Sequence, residues 1–575
     1  MVAWWVNKMC GIAGILGQKE ATQDVANMLK KIAHRGPNGS GVHSIDDTAA
    51  IGMCRLRVRS QVDDAVPFPI DTETVAAYNG EIYGTIDDLA QPSATSPKGG
   101  ADEVKTLLSC DAHTHADGMY ATAIAHQDTV EVRRDPYGIK PLFYRETPHS
   151  ILFCSEPLPL IHNPAQDINT DAFDDLLVFG HTLHNQTLYR SIHKLSVNER
   201  IQYQAGQHQR IQEAPPHYHR QKERPDVRAL IAHSVQKCML SDRPVGLSIS
   251  SGLDSRILAH ELNTQGYENL KTVSILIDDV DDGIKNLDQL NLPGAQSWRQ
   301  WQHFSTQFQA ADFPTYLEDS VLCLGQPTRM TSFPLYMKLA ELTHQVGLTV
   351  LLSGEGADEI FYGYSDYLTW QPDLYADLPT ALLKFYVSDT QHSLLQSILG
   401  PERVQASIAR FNDFIAPFMI QGNPRKTLLK IEQALRLNAL LERTDLCLMK
   451  YSIEGRVPYL HGGLPEQIAL LPETDFIHST QSKPLLRAAY ANVLPTMNIP
   501  KKRFRMPIAK WLAEDCHDWA MDLIQSKDNG LSNIGIHQNQ IEKWMQNPSP
   551  AVTTFTFTLL SYIIWHQHFV RGKTT

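Results

Sequence analysis

The segment from Val245 to Arg256 reads VGLSISSGLDSR, an apolar strand that runs into a loop of small residues. Small residues let backbone N–H groups close around an anion, and the start of a following helix favours that anion. Asp254 could hold a magnesium ion against phosphate oxygens. The loop lacks the Gly-Lys-Ser/Thr ending of a Walker A segment, so the pattern predicts a phosphate site for a different ATP chemistry. An ordinary strand–helix connection is the alternative.

A second loop, SGEGADE from Ser353 to Glu359, follows another short apolar strand, Leu348 to Leu352. Helical patterns separate these strands from each other and from Thr272 to Ile277, which favours a parallel α/β sheet. The carboxyl ends of parallel strands line a binding crevice. We therefore expect both loops at one edge of the sheet, although the second loop alone would also fit a solvated acidic turn.

Length and composition exclude several classes of protein. The 575 residues exceed what one hydrophobic core usually supports, so at least two domains are expected. The net charge of -12 argues against nucleic acid as the main partner. Eight scattered cysteines without a Cys-x-x-Cys pair favour a reducing cytoplasm. No signal peptide or membrane span is expected, and the tract from Phe555 to Val570 predicts a buried terminal helix.

Short β-rich runs separated by turn signals extend from Cys10 to about Tyr203 and predict layered sheets. Two of these runs are Val75 to Tyr78, before a turn at Asn79-Gly80, and Ile151 to Cys154. A polar, proline-containing stretch without periodicity then predicts a connection between domains. The expected division is a domain at 10–205, a linker at 206–228, a second domain at 229–515 and a helical extension at 516–575.

Several motifs together resemble the glutamine-dependent asparagine synthetase family. Each is weak to moderate alone, but their order and spacing are highly specific and run from Cys10 to about Leu512. The motifs are MCGIAGILG from Met9, HRGPNGSG from His34, YNGEIYG from Tyr78, RRDPYGIKPLFY from Arg133, SISSGLDS from Ser248, LSGEGADEIFYGY from Leu352, IEGRVPYL from Ile453 and IPKKRF from Ile499.

The resemblance implies an α/β protein of two domains. An N-terminal αββα glutaminase sandwich of antiparallel sheets would be followed by an ATP pyrophosphatase domain with a parallel sheet and a helical C-terminal part. Ammonia would pass between the two domains through an internal tunnel.

In the glutaminase half, the resemblance makes Cys10 the nucleophile. The free α-amine of an N-terminal cysteine can take the thiol proton. Because nine residues precede Cys10, we expect translation from Met9 with Met removal, or cleavage of a propeptide. Asn79 and the N–H of Gly80 match the oxyanion hole.

Glutamine binding is assigned by the same resemblance. Arg55 corresponds to the arginine that clamps the α-carboxylate, and Asn79 and Gly80 also contact the substrate. Glu81 and Asp102 would receive the α-ammonium group, with Asp102 matching after a shift of one position. Asn38 stands where the family usually has Asp, and Met53 and Cys54 replace a His-Arg pair.

In the synthetase half, a substrate carboxylate would attack the α-phosphorus of ATP to give an acyl-adenylate and pyrophosphate, and ammonia would then displace AMP. Asp254 and Asp358 correspond to ligands of Mg²⁺. The residues matching the ATP site are Leu247, Ser248, Ile249, Ser250, Ser251, Gly252, Asp254, Ser255, Ile275, Ser353 and Gly354.

Two further residues match catalytic positions of the family. Glu355 would take a proton from the incoming amine. Lys501, with Lys502 as the fallback, would neutralise charge on the α-phosphate. The chain also departs from the family pattern, and we expect these departures to cluster around the nitrogen acceptor: Ser251, Gly325-Gln326-Pro327, Arg503 and His461.

The family default is synthesis of asparagine from aspartate, glutamine and ATP with Mg²⁺. A second hypothesis keeps the chemistry but amidates another carboxylate, in a cell-envelope sugar or a secondary metabolite. A third makes an internal amide, as lactam-forming relatives do, although these tend to lose the nucleophilic cysteine. A non-enzymatic scaffold is disfavoured by the retained Asp254, Asp358, Glu355 and Lys501. The expected partners are glutamine and a carboxylate acceptor, without nucleic acid or membrane; family members often form homodimers.

Overall fold

The fold was analysed in a computed structural model. It describes residues 10–36, 38–59, 65–85, 97–109, 116–197, 199–212, 224–278, 280, 284–285, 287–290, 297–476, 478, 481–494, 506–546 and 549–572.

The N-terminal half contains two antiparallel sheets of six strands each. Its strands are β1 (Gly11–Leu16), β2 (Ser40–Asp46), β3 (Ala49–Cys54), β4 (Phe68–Pro69), β5 (Thr74–Thr85), β6 (Ala116–His126), β7 (Thr129–Arg134), β8 (Phe143–Glu146), β9 (Ile151–Cys154), β10 (Ile192–Lys194), β11 (Glu199–Gln204) and β12 (Gln207–Gln212). The strand orders are β10-β8-β9-β1-β3-β2 and β12-β11-β7-β6-β5-β4.

Helices cover the outer faces of this pair of sheets. The helices of this half are α1 (Ala21–Lys31), α2 (Ala101–Ser109) and α3 (Thr170–Phe179). Helix α1 packs on β1 and β3, and α2 packs on β5. Every residue of β1 is buried, because it lies between α1 and the second sheet. These layers confirm the predicted αββα sandwich.

The expected turn at Asn79-Gly80 is wrong. Both residues lie inside the strand, where Asn79 pairs with Ala121 and Gly80 pairs with Tyr120 of β6. Gly80 has a φ of 142°, and an added Cβ would overlap the carbonyl oxygen of Met119. Glycine permits this backbone in mid-sheet, so the dipeptide does not end the strand.

The C-terminal half is built on a parallel sheet, as expected. Its strands are β13 (Val245–Ser248), β14 (Lys271–Ile277), β15 (Gln302–Phe308), β16 (Val350–Leu352) and β17 (Glu454–Arg456), in the order β15-β14-β13-β16-β17. Adjacent strands pair in parallel throughout. The short apolar sequences suit strands that are covered on both faces.

Helices surround this sheet and form most of the remaining chain. They are α4 (Val227–Cys238), α5 (Leu253–Thr264), α6 (Phe313–Leu324), α7 (Phe333–Gln345), α8 (Ala357–Phe361), α9 (Ser365–Thr369), α10 (Leu378–Tyr386), α11 (Asp389–Leu399), α12 (Pro401–Ile415), α13 (Pro424–Glu432), α14 (Asn438–Lys450), α15 (Leu464–Ala469), α16 (Glu473–Phe476), α17 (Pro484–Tyr490), α18 (Ile508–Ala513), α19 (His517–Gln525), α20 (Gln538–Gln546) and α21 (Pro550–Trp565). Within the described ranges, none of the helices has the length and apolar character needed to cross a membrane.

The structure differs from the expected division of the chain at two places. Strand β12 lies inside the predicted linker and pairs with β11 along its whole length, so the second sheet continues past residue 205. The predicted C-terminal extension ends in α21, which packs on α6. Its Trp565 donates hydrogen bonds to the Tyr189 hydroxyl (2.8 Å) and the Gly325 carbonyl oxygen (3.1 Å). This helix is therefore part of the core.

The two halves also share apolar packing. One continuous cluster of buried side chains includes Val58 and Met119 from the antiparallel sheets and Leu247 and Val457 from the parallel-sheet half. The contact between the halves is therefore an interior rather than a solvated surface.

Replacing Trp565 with Ala should destabilise the protein, because it empties a fully buried site that joins α21 to both halves. We expect a loss of about 3–5 kcal/mol in the free energy of unfolding, measured by urea denaturation. Lys543→Ala, on the exposed face of α20, is the control. Equal stability of the two variants would mean that the terminal helix is a dispensable extension.

Candidate active sites

Cys10 immediately precedes β1 and is half-buried. Its sulfur accepts a hydrogen bond from the Leu56 N–H (3.4 Å), and its carbonyl oxygen accepts one from Arg35 Nε (3.2 Å). Burial raises the pKa of the Cys10 thiol to about 12, and the negative charges of Glu454 and Glu81 contribute in the same direction. A thiol with this pKa is protonated at neutral pH, so it needs a base when it attacks a substrate.

Asn79 and Gly80 lie on β5, which packs against β1. The Asn79 side chain is 1% exposed, and its Nδ2 has no hydrogen-bond acceptor among the described residues. A buried amide donor without an acceptor is costly unless a ligand supplies one. This geometry fits a donor to an oxyanion, as the sequence predicts.

Arg55 and Glu81 lie within electrostatic range of the Cys10 thiol. Arg55 is buried, with its guanidinium carbon 4.9 Å from the centre of the Phe68 ring. Glu81 is buried 3.5 Å from Arg59. The structure thus brings two of the predicted glutamine-binding side chains to the candidate nucleophile.

Asp102 is not brought to this site by any described contact. It is exposed near the start of α2, and its carboxylate accepts a hydrogen bond from the Lys98 N–H (2.7 Å). The neighbouring Glu103 points inward instead and accepts a hydrogen bond from Arg59 (2.9 Å). The helical period of α2 buries position 103 rather than 102, so the structure places Glu103 and Arg59, which the sequence analysis did not name, beside Glu81 in place of Asp102.

A second candidate site is a cavity of about 260 Å³ beside the carboxyl ends of β13, β14 and β16. It contains every residue predicted to bind ATP except Leu247, which is fully buried in the sheet. The cavity is lined by Ser248, Ile249, Ser250, Ser251, Gly252, Leu253, Asp254, Ser255, Ser274, Ile275, Ser332, Leu335, Tyr336, Leu339, Ser353, Gly354, Glu355, Asp358, Arg443, Ser482, Lys483 and Arg487.

The loop between β13 and α5 is closed by its own serines. Ser255 Oγ accepts a hydrogen bond from the Ser250 N–H (3.0 Å), and Ser250 Oγ accepts one from the Gly252 N–H (3.2 Å). Helix α5 then begins at Leu253. The first N–H groups of a helix have no partner within it, so this end of the cavity suits an anion.

The carboxylates of Asp254 and Asp358 both form an ion pair with the Lys483 side chain. Lys483 Nζ lies 2.5 Å from Asp254 Oδ1 and 2.7 Å from Asp358 Oδ1. A Cβ added to Gly363 would collide with the Asp358 carboxylate and the Lys483 side chain, so glycine is needed behind them. The two carboxylates predicted to share a magnesium ion are therefore close together.

Lys483 and Arg487 were missed by the sequence analysis. Lys483 is the N-cap residue of α17, and Arg487 lies in the last turn of this short helix. The macrodipole disfavours a cation at a helix N-terminus, so Lys483 at this position was a usable signal for a negatively charged neighbour or ligand.

Glu355 is held by two side chains that sequence reasoning did not identify. Its Oε1 accepts hydrogen bonds from the Tyr336 hydroxyl (2.7 Å) and from Arg443 Nη2. Arg443 also donates to Ser332 Oγ (2.5 Å) and stacks on the Tyr336 ring, 3.7 Å from its centre. Both bonds fall on one oxygen, which fixes the orientation of the carboxylate toward the cavity.

Two of the departures from the family pattern lie away from the cavity. Gln326 Oε1 accepts a hydrogen bond from the Leu188 N–H (3.0 Å), and His461 is buried 3.3 Å from Asp117 of the N-terminal half. The expectation that the departures cluster around the acceptor is wrong for these residues, because they join the two halves. Ser251 does line the cavity. Lys501, Lys502 and Arg503 lie outside the described residues, and the roles of the two lysines stay predictions.

Comparison with known proteins matches both halves of the chain. The asparagine synthase family matches residues 226–567, and the glutamine amidotransferase domain family matches residues 9–214. Asparagine synthetase (glutamine-hydrolyzing) 1 of Bacillus subtilis is 24% identical over 97% of this chain and 96% of its own length. A putative asparagine synthetase (glutamine-hydrolyzing) of Mycobacterium tuberculosis is 26% identical over 98% of this chain and 97% of its own.

Gly363→Ala should weaken ATP binding, because the added methyl group forces Asp358 and Lys483 apart. Overpacking of this kind costs about 1–3 kcal/mol, or roughly 5- to 150-fold in the dissociation constant measured by titration calorimetry with ATP and Mg²⁺. Ser365→Ala, at an exposed position two residues further on, should bind ATP normally. Unchanged affinity in the glycine variant would contradict the assignment of this cavity.

Proposed function

The chain belongs to the asparagine synthase family, and we propose that it makes asparagine from aspartate, glutamine and ATP. It is an ATP-dependent ligase that uses glutamine as its nitrogen donor.

The observation that carries the proposal is the convergence of Asp254 and Asp358 beside the Ser250 loop. In the proposed reaction, an oxygen of the acceptor carboxylate attacks the α-phosphorus of ATP, and the bond to pyrophosphate breaks. The helix start and the cations Lys483 and Arg487 would stabilise the leaving pyrophosphate. Lys501 would neutralise charge on the α-phosphate.

The two aspartates also fit Mg²⁺, which prefers one or two carboxylates together with phosphate oxygens. The described residues contain no group of three or more His, Cys, Asp and Glu that could form an all-protein cage. Asp254 and Asp358 would therefore hold the ion only together with ATP. When bound, Mg²⁺ would neutralise charge on the phosphates.

Glu355 would complete the second step, in which ammonia attacks the acyl carbon and AMP leaves. Its carboxylate would take a proton from the attacking nitrogen. Tyr336 and Arg443 support this role, because they hold one carboxylate oxygen and leave the other for the nitrogen. These two residues would act through Glu355 and position it.

The amidotransferase half would supply the ammonia. The Cys10 thiol attacks the side-chain carboxamide of glutamine, with Asn79 Nδ2 and the Gly80 N–H as donors to the oxyanion. Arg55 would bind the α-carboxylate and Glu81 the α-ammonium group. Released ammonia would then move through the buried contact between the halves. A cytoplasmic reaction is part of the proposal, and the seven described cysteines, all free thiols, support it.

The proposal is tested by incubating the purified protein with ATP, Mg²⁺, glutamine and aspartate and measuring pyrophosphate, glutamate and asparagine. All three products should form in equal amounts. Cys10→Ala should abolish glutamine-dependent synthesis but keep ammonia-dependent synthesis, whereas Lys501→Ala should abolish synthesis and keep glutamine hydrolysis. Pyrophosphate release with another carboxylate but not with aspartate would refute aspartate as the acceptor, and no release with any acceptor would refute the enzyme.

Asn79→Ala should lower kcat for glutamine hydrolysis by about 10²–10³, because removing one oxyanion donor costs that much in comparable enzymes. KM for glutamine should change little. Ammonia-dependent synthesis serves as the internal control for folding and should be unaffected. An unchanged kcat for hydrolysis would show that the Asn79 amide has a structural role in β5 and no role in the reaction.

A further inference from the structure

Strand β17 lies between the two candidate active sites. Its backbone belongs to the synthetase sheet, where Arg456 pairs with Leu352 of β16. The Arg456 carbonyl oxygen accepts a hydrogen bond from the Ser353 N–H (2.9 Å), which starts the loop that carries Glu355. The main chain of β17 therefore supports the synthetase site.

The charged side chains of β17 reach the amidotransferase site. Arg456 is fully buried; its Nη1 donates to the carbonyl oxygens of Cys238 (2.8 Å) and Leu240 (2.7 Å). Its Nε donates to Glu454 (2.6 Å), and its Nη2 lies 3.7 Å from Glu81 Oε2. This Nη2 has no hydrogen-bond acceptor within the described part of the chain. A buried guanidinium from one domain thus faces the carboxylate that would bind glutamine in the other.

Charged groups approach Glu81 from three elements. Arg59, after β3, lies 3.5 Å away, and Glu103 of α2 shares Arg59 with Glu81. Glu454 and Arg456 approach from β17. Burial, together with the negative charge of Glu454, raises the pKa of Glu81 to about 7, and the cations Arg456 and Arg59 oppose the rise. Burial also raises the pKa of Glu103 well above its usual value. The charge of Glu81 near neutral pH therefore depends on both residues of β17.

We infer that β17 completes the glutamine site, with Arg456 and Glu454 as positioning residues that set the ionisation of Glu81 and thereby the binding of the substrate α-ammonium group. The inference rests on the proposed function, because it requires glutamine at this site. An ionised Glu81 attracts an ammonium group, and a protonated Glu81 does not. The synthetase domain would thus control substrate binding in the amidotransferase domain through fixed charges.

The two residues should act in opposite directions. In the wild type, KM for glutamine should fall as the pH rises through about 7, because Glu81 loses its proton there. Arg456→Gln removes a cation that favours the charged form, so this inflection should move to higher pH. Glu454→Gln removes an anion that disfavours the charged form, so the inflection should move to lower pH. Local damage to the strand would not give shifts of opposite sign.

The experiment is steady-state glutamine hydrolysis across neutral pH by the protein that has Cys10 as its N-terminal residue. The variants are Arg456→Gln, Arg456→Lys and Glu454→Gln, with Arg210→Gln at an exposed ion pair as the control. Each shift should be about one pH unit, or roughly tenfold in KM at a fixed pH below both inflections. Arg456→Lys should restore the wild-type inflection, and the control should not move it.

Each outcome has a distinct meaning. Opposite shifts with a small change in kcat support the inference. Shifts in the same direction, or none, overturn it while glutamine hydrolysis by the wild type still supports the proposed function. Absence of hydrolysis by the wild type refutes the proposed function itself. If Arg456→Gln does not fold, the downward shift in Glu454→Gln and the retained inflection in Arg456→Lys decide the question.

Discussion

The pairing of β16 with β17 is the constraint on which the two candidate sites depend. Strand β16 is three residues long and fully buried, and the loop with Ser353 and Glu355 begins at its carboxyl end. Strand β17 is equally buried and turns its charged side chains toward Glu81. The pairing with β16 therefore fixes the position of these side chains relative to the loop that carries Glu355.

Buried ion pairs reinforce this arrangement. Helix α14 contributes Arg443 to the cavity and Asp445 to the opposite side, where Asp445 meets Arg35 (2.7 Å) and Lys140 (3.2 Å) of the N-terminal half. The attraction within a buried ion pair offsets the cost of desolvation only when the geometry is good. Removing one partner leaves an unpaired buried charge, which is strongly destabilising. Since Arg35 also donates a hydrogen bond to the carbonyl oxygen of Cys10, a short chain of contacts joins the candidate nucleophile to the helix that holds Glu355.

Much of the fold and part of the candidate sites could be predicted from the sequence, because local residue patterns determine them. The parallel strands, the Ser250 loop and the terminal helix follow from periodicity and small residues. The predictions that failed concern residues whose positions are set by tertiary contacts. The dipeptide Asn79-Gly80 forms a turn in most contexts but lies in mid-strand here, since β6 pairs with it. Position 103 rather than 102 faces inward because of how α2 docks. Tyr336 and Arg443 come from distant helices, and no local pattern links them to Glu355.

In this account, one polypeptide carries out both reactions, and ammonia passes from the amidotransferase site to the synthetase site without entering the solvent. The most direct test is synthesis from glutamine with an isotopically labelled amide nitrogen, in the presence of excess unlabelled ammonium, ATP, Mg²⁺ and aspartate. The account predicts that the new amide retains the label despite the excess ammonium in solution. A product whose label is diluted to the level of the bulk ammonium would contradict it.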